Sequence, residues 1–424
     1  MGSGDRLTED RKTVAIVGAG IVGVSTALWC LRDGHDVVLI DKQGAGTGTS
    51  HGNGGVLAAN SIIPVSTPGL WKKAPGMLFS PDQPLFLKWS YLPRLAPWLR
   101  QFLGHGTADH VAHRAASMTD MLGDTLDQHL ALAKGTGAEK WIVPSDYVFL
   151  YRDRAHFEGD AFGWALRREN GFNWDELEGA ALKDYDPIWS ADVGFGVRCA
   201  NHGRITDPGR YVKDLAAHAE TLGAKFKIGE ASDVIRSKGT VTGVVVDGET
   251  ITCDALVLAA GVWSKPFAEK LGVNIPLESE RGYHLELWDP SHMPRAPVMI
   301  ASGKFVATPM EGRLRCAGVV EFGGLGAPAS KAPLKLLEKN IKAAIPGLTW
   351  SHTVEWMGHR PSVADSLPLI GEVPGAKGAF LGFGHDHVGL TAGPKTGRLL
   401  AQLIGNRNPN IDLAPFSPAR YAEG

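Results

Sequence analysis

The stretch from Thr13 to Lys42, TVAIVGAGIVGVSTALWCLRDGHDVVLIDK, constrains the fold more than any other part of the chain. Val14 to Val17 is a short apolar run, as a buried parallel strand requires. Gly18, Gly20 and Gly23 then form GxGxxG. An apolar helical stretch runs from Ile21 to Leu31, and Gly34 is suited to end it. Val37 to Ile40 is a second strand pattern, closed by Asp41, 18 residues past the third glycine. Strand, glycine turn, helix, strand and acid in this order make a complete βαβ dinucleotide-binding unit. Gly18 permits the tight turn, Gly20 lets the backbone approach a pyrophosphate, and Gly23 allows close helix-to-strand packing. Ala19, Ile21 and Val22 complete the phosphate-facing turn, whose free N–H groups favour an anion. Asp41 is placed to accept hydrogen bonds from ribose hydroxyls, with Lys42 beside it.

The choice between FAD and NAD turns on the segment after Asp41 and on a distant strand. KQGAGTGTSHGNGG, Lys42 to Gly55, is rich in Gly, Ser and Thr and supplies a second backbone lining for a longer cofactor. The chain has 53 glycines among 424 residues, above the usual share of about 7%, and they gather in such loops. A second buried strand, Leu256 to Ala259, returns far downstream into Ala260 and Gly261. No second GxGxxG is present to serve NAD(P)H. FAD is the expected cofactor.

The length suits two domains. A net charge of -2 shows no bias toward nucleic acid or an anionic membrane surface. Cys30, Cys199, Cys253 and Cys316 are scattered without a CxxC pair, which fits a reducing, cytoplasmic compartment. The first 12 residues are polar and do not read as a secretory signal, and no run of about 18 apolar residues occurs to span a membrane.

Residues 66 to 140 read as helical. Within them Leu85 to Leu103 is the most apolar part, expected to be broken into short pieces by Pro93 and Pro97. It could rest on a membrane surface and pass electrons to quinone, but reads better as core and lid helices. Asp146 to Asp153 reads as a strand. A helix follows Asp207 as N-cap and Pro208, ending at Gly223. Two β-like runs lie around Val234 and Val244 to Val246, and Ile275 to Phe322 looks mostly β. A helix near Lys331 to Ala344 and a strand at Ala379 to Phe383 complete the pattern. The strand runs into GHDHVGLT, and a last helix is expected from about Leu390 or Thr391, with Pro394 in its first turn.

GAGIVG, GTSHGNGG, LVLAAGVWS, ERGYH, ASGKFVATPM, GHRPSVADSLPLIG and GHDHVGLTAGPKTG occur in order. Together they resemble the D-amino-acid oxidase superfamily of flavoproteins, over about residues 13 to 420. Within it the chain looks most like the D-amino-acid dehydrogenases and the glyphosate-oxidoreductase type. The resemblance implies an α/β fold (α+β overall) with a discontinuous Rossmann-like FAD-binding domain, residues 12–65, 200–275 and 358–424. A β-rich substrate domain with extra helices would take residues 66–199 and 276–357. It implies that Gly18, Ala19, Gly20, Gly23 and Asp41 hold the adenosine and pyrophosphate, and that Val234 meets the adenine edge. Ala260 and Gly261 would face the pyrophosphate, and Ser50, Asn53, Gly54 and Gly55 would line the flavin. His51 lies where some relatives attach the flavin covalently, and Gly358 stands near the position of a linking cysteine in others.

The implied reaction is hydride transfer from an amine-bearing carbon to flavin, giving an imine and then a keto acid. Arg360 is the expected carboxylate anchor, because a guanidinium binds a carboxylate bidentately; its alternative is pairing with Asp365. Arg281 and Tyr283 share one face of an alternating strand and are candidates for further substrate contacts, with His284 facing the other way. Lys304, Thr308 and Glu321 could line the pocket, or be ordinary strand-edge polarity. His359 reads best as a packed histidine. In GHDHVGLT the backbone of Gly384, His387, Gly389, Leu390 and Thr391 would meet the flavin edge that becomes negative on reduction. No third or fourth ligand joins the two histidines, so no metal is expected, and Asp386 is an unexplained acid. The expected partners are a small amino acid or amine and an electron acceptor, with quinone, a dye-type acceptor and oxygen left open. N-substituted glycines remain the alternative substrates, and a non-catalytic flavin subunit the alternative role.

Overall fold

The apolar run that opens the βαβ unit has its carbonyls and N–H groups taken from both sides. Strand β1 (Thr13–Val17) pairs in parallel with β2 (Asp36–Asp41) and β12 (Ala255–Leu258). The structure is a computed structural model that describes residues 11–72, 76 and 84–422. The polar tail at residues 1–10 and part of the helical reading of 66–140, at 73–75 and 77–83, lie outside the described residues.

Two larger sheets dominate. The first has the order β18-β19-β12-β1-β2-β8, where β8 is Lys225–Ile228, β18 is Leu369–Glu372 and β19 is Ala379–Phe383. All its neighbours are parallel except β18 with β19. Helix α1 (Ile21–Arg32) is buried nearly all round, between this sheet and the last helix, Gly389–Ile404. A Cβ on Gly397 of that helix would come within 2.5 Å of Ser25 and Thr26, so the glycine sets how closely the two helices pack.

The second sheet has the order β17-β13-β16-β15-β14-β5-β7-β3. These are His352–Val363, Leu277–Trp288, Arg313–Phe322, Phe305–Met310, Val298–Ile300, Ile142–Tyr151, Phe195–Ile205 and Val56–Leu57. Strand β4 (Leu85–Leu87) joins β16, and β6 (Asp175–Glu178) joins β7. A small sheet of β9 (Ala231–Ser237), β10 (Thr240–Val246) and β11 (Glu249–Thr252) accompanies the first. Strand β17 runs unbroken through residues 357 and 358, and β7 through 199 and 200.

Both prolines expected to break the Leu85–Leu103 segment are accommodated. Leu92–Gly104 is a single helix, α2, with Pro93 in its first turn and Pro97 inside it. Leu95, Trp98 and Phe102 recur on one face and pack against Phe322 and Ala364, so the apolar stripe belongs to the core. Pro394 is likewise not in a first turn. The last helix begins at Gly389, and Pro394 is its sixth residue. The lost N–H would have served the Leu390 carbonyl, which instead faces His129 Nε2 at 3.0 Å. No helix among the described residues is long and apolar enough to cross a membrane.

Candidate functional site

A cavity of about 800 Å³ runs from the glycine turn of β1 to the inner face of the second sheet. At its nucleotide end Gly18 has φ +107°, and a Cβ there would stand 2.5 Å from the Ala259 carbonyl. A Cβ on Gly23 would stand 1.8 Å from Gly18 O, so helix and turn touch backbone to backbone. Gly20 caps α1 in an extended conformation without any side-chain cap. Gly18, Ala19, Gly20, Ile21 and Val22 line the cavity, and the first turn of α1 is open toward an anion. Asp41 Oδ2 accepts from Ala19 N–H at 2.9 Å, and Oδ1 accepts from Gln43 and Gly44 N–H at 2.8 and 3.1 Å. The carboxylate therefore braces the turn while bordering the cavity. Lys42 lies over the Trp263 ring, 4.6 Å from its centroid, and both line the cavity with Ala260 and Gly261. Val234 does not border it. Gly229, Glu230, Ala231 and Ser232 do, because the chain passes the cavity before and at the start of β9.

The second glycine-rich lining is held from behind. Ser50 Oγ accepts from Ile21 N–H at 2.9 Å, tying it to α1. Ser50, Asn53 and Gly54 line the cavity, but His51 and Gly55 do not. His51 is turned toward the start of the helix Pro208–Thr221, where a Cβ on Gly209 would meet its Nδ1 at 2.6 Å. Gly55, at φ +75°, packs behind the wall near Met310 and Ile205. Arg315 donates to the carbonyls of His51 and Asn53 at 2.8 and 2.6 Å and is paired with Glu286 at 2.6 Å. Burial opposes the Glu286 charge, yet Arg315 and Arg313 hold its carboxyl down to about 2. Trp356 fills the space that Gly52 and Gly358 leave, since a Cβ on either would meet its indole at 1.9–2.0 Å. Sequence reasoning misses Arg315, Glu286 and Trp356, because only their distant partners give them meaning.

At the other end, four neighbouring strands of the second sheet present Ala317, Val306, Met299 and Phe149 in one hydrogen-bonded row along the cavity. Arg167 lies over Phe149, 5.5 Å from its centroid, and Lys304 and Ile63 complete this apolar end with two cations.

Arg360 borders the cavity beside Gly282, whose hydrogen stands where a Cβ would be 2.5 Å from the guanidinium carbon. Asp365, the alternative partner, is taken by Arg420 at 2.6 Å. Among the described residues the Arg360 guanidinium donates no hydrogen bond to another protein group. Arg281 is not in the cavity. It is fully buried on the far face of β13, paired with Glu321 at 2.8 Å and donating to the Ala327 and Pro328 carbonyls. Tyr283 touches the wall, but its hydroxyl donates to Glu321 at 2.6 Å and accepts from Ser330 N–H at 2.9 Å. Glu321 is thereby engaged away from the cavity, and Thr308 is buried off it as well. The cavity face of β13 carries Glu280 and Gly282 instead. His284 is structural: Nδ1 lies 3.0 Å from Gly52 O and the ring stacks on Trp356. His359 Nδ1 lies 2.8 Å from Ser279 Oγ.

In the loop before the last helix, His387, Gly389, Leu390 and Thr391 border the cavity. Gly384 does not: at φ +86° it turns the chain behind the wall, against Val363. Both histidines line the cavity, but they differ in their partners. His385 Nε2 lies 3.0 Å from Thr396 Oγ1. Asp386, at φ 48°, borders the cavity and accepts from Val363 N–H at 3.2 Å.

A doubly flanked glycine turn, a long second lining and a cation-bearing cavity define a dinucleotide-dependent oxidoreductase. The sequence matches the DAO family, FAD dependent oxidoreductase, over residues 13–403, and the chain belongs to that family. Its cofactor is FAD. It is 40% identical to the D-amino-acid oxidase of Bradyrhizobium diazoefficiens over 415 residues, covering 96% of this chain and 98% of that one. It is 29% identical to the D-amino acid dehydrogenase of Allorhizobium ampelinum, covering 97% and 99%. Among solved structures, glycine oxidase from Geobacillus kaustophilus has a TM-score of 0.75 at 22% identity, covering 98% of this chain and all of that one. Iminodiacetate oxidase from Chelativorans sp. BNC1 has a TM-score of 0.71 at 19% identity, covering 96% and 98%. At such identities these two speak for the fold alone.

Proposed function

We propose that this oxidoreductase oxidises an amino acid at its amine-bearing carbon, with D-amino acids as the substrate class. The D-amino-acid oxidase and dehydrogenase relatives support that class, and Arg360 carries the reading. Its guanidinium borders the cavity and has Gly282 as a recess, and Asp365, the partner the sequence offered, is held by Arg420. Bound FAD supplies the two-electron acceptor for the C–H bond. The chain's own residues do the rest. Arg360 fixes the substrate by its carboxylate, and the row from Ala317 to Phe149 keeps water from the reacting carbon. The open N-terminus of the Gly389–Ile404 helix offers N–H groups to negative charge that builds up beside it.

The nucleotide end is assigned to Gly18 through Val22, Asp41, Lys42, Ala260 and Gly261, with Ala231 and Ser232 in place of Val234, and the flavin lining to Ser50, Asn53 and Gly54. The parallel sheet with its helices forms the FAD-binding unit and the second sheet the substrate unit, with β7 and β17 crossing the expected boundaries at 199/200 and 357/358. A reducing, cytoplasmic setting agrees with four free and buried cysteines.

The test is anaerobic bleaching of the flavin absorbance by a panel of D-amino acids, sarcosine and iminodiacetate. Reduction by D-amino acids supports the assignment, and reduction by the N-substituted glycines alone replaces the substrate class. A flavin that no member reduces speaks for a non-catalytic subunit. Admitting air then separates oxidase from dehydrogenase by the speed of reoxidation.

A further inference from the structure

Two carboxyl groups meet on one side of the cavity. Glu280 stands opposite Arg360 in the β13–β17 ladder. Ser362, two residues along β17, donates through Oγ to Glu280 Oε1 at 3.0 Å. Asp386 reaches the same serine from the loop, and its own N–H donates to Pro361 O at 3.1 Å. The Ser362 hydroxyl therefore lies between both acids, with its single proton given to Glu280. Glu280 is 6% exposed and Asp386 8%, and the little surface they have borders the cavity.

The surrounding charges are arranged around this pair. Arg360 acts on Glu280, and fully buried Arg114 acts on Asp386. Arg114 donates to the carbonyls of Ser366 and Ile62, and its Nη2 has no protein partner. Glu278 adds a further negative field at Glu280, and its carboxylate accepts from Tyr91 at 3.0 Å. Arg360 and Tyr421 also act on Asp386, and His387 follows it in the chain. Arg360 and Arg114 carry two positive charges against the carboxyls of Glu280, Asp386 and Glu278, and burial favours a proton on one of these acids. A zwitterionic amino acid brings a carboxylate and an ammonium two bonds apart on one carbon. Arg360 complements the first, and the neighbouring acids complement the second.

We propose that Glu280 and Asp386 form the amine end of the site, holding the nitrogen of a substrate whose carboxylate sits on Arg360 and accepting its proton. The proposal rests on the amino-acid oxidation inferred above. In this step an N–H bond breaks and a carboxyl O–H bond forms, with no change of oxidation state. The nitrogen keeps its electron pair, which oxidation of the adjacent C–H bond requires. Burial and the nearby Glu280 charge push the Asp386 carboxyl up to about 8, so it exchanges protons near neutrality, where a general base is most effective.

Glu280→Gln and Asp386→Asn test this. Glutamine keeps an acceptor for Ser362, and asparagine tolerates the left-handed backbone at 386. Each variant should slow anaerobic flavin reduction by D-alanine at pH 7 by about 10²-fold. The parent enzyme should show a rise of that rate with pH, and each variant should remove it. Binding of D-lactate, which has the carboxylate but no amine, should be unchanged, as should FAD content, while D-alanine binding weakens. Unaltered pH profiles in both variants, or equal weakening of D-lactate and D-alanine, would overturn the proposal. The binding comparison needs no turnover. If no amine reduces the flavin, the functional reading fails, whereas selective loss of D-alanine binding still supports the acid pair.

Discussion

His129 Nε2 lies 3.0 Å from the Leu390 carbonyl while its Nδ1 lies 2.9 Å from the Tyr211 hydroxyl. A carbonyl can only accept, so the proton is on Nε2, and Nδ1 accepts from Tyr211. The imidazole stands in for the N–H that Pro394 lacks, at the helix start that borders the cavity. Burial keeps it neutral, with its pKa held down to about 4.

This neutral histidine makes the fold sensitive to acid. Between about 6.5 and about 4 the unfolded chain binds a proton that folded His129 refuses, so stability falls as pH falls through that window. His385, held down to about 4 by burial, adds in the same sense. Each contributes up to about 1.4 kcal/mol per pH unit. Thermal unfolding between pH 7 and 4.5 should show the decline, and His129→Gln should make it shallower. An equally steep decline in the variant would remove His129 from the account.

Asp386 titrates with the opposite consequence. Its folded pKa lies above the ordinary carboxylate value, so the folded chain keeps a proton that the unfolded chain loses as pH rises toward about 8. Stability linked to this group is therefore lost across that rise. Asp386→Asn should stabilise the protein more at pH 8.5 than at pH 5. About 1 kcal/mol of relief corresponds to roughly 1 °C in Tm for a chain of 424 residues.

Arg360→Ala should lower kcat/KM for carboxylate substrates by about 10²-fold or more, as expected for a lost charged hydrogen bond, with FAD content unchanged. Arg360→Lys should recover only part, because an ammonium does not reproduce the planar fork. Near-normal turnover of the alanine variant would end the anchoring role.

Gly282→Ala approaches the same anchor from outside. Its methyl would fall 2.5 Å from the Arg360 guanidinium carbon and must displace it. KM should rise while FAD retention holds. A loss of FAD with unchanged KM would place the arginine's role at the cofactor.

Asp41→Ala removes the brace on Ala19, Gln43 and Gly44 together with any ribose contact. FAD should be lost more readily on dilution or dialysis, and unchanged cofactor content would argue against both roles.

What the sequence made legible was local. The turn at Gly18, the helix from Ile21, the strand ending at Asp41 and the strand Ala379–Phe383 are each specified by neighbouring residues. The face of β13 was not. Alternation fixes that Arg281 and Tyr283 point together, but only the packing of the sheet decides that Glu280 and Gly282 take the cavity side. Val234 failed for a related reason, since the cavity meets the chain a few residues earlier. Arg281 looked available because Glu321, 40 residues on, cannot be assigned as its partner from sequence spacing. Pro97 and Pro394 were read by propensity, and tertiary contacts overrode it. His129 sits 261 residues before the carbonyl it serves, and nothing in its own surroundings announces that.

Strand β17 has a practical consequence for recombination with relatives. Its first half belongs to the outer edge of the substrate sheet, and its second half carries Gly358, Arg360 and Ser362 into the site. A chimera joined at residues 357 and 358 would cut this strand in the middle of its ladder with β13, where Gly358 faces Gly282. An exchanged substrate unit must therefore carry β17 through Val363 together with its β13 partner, or the anchor and the acid opposite it will come from different parents.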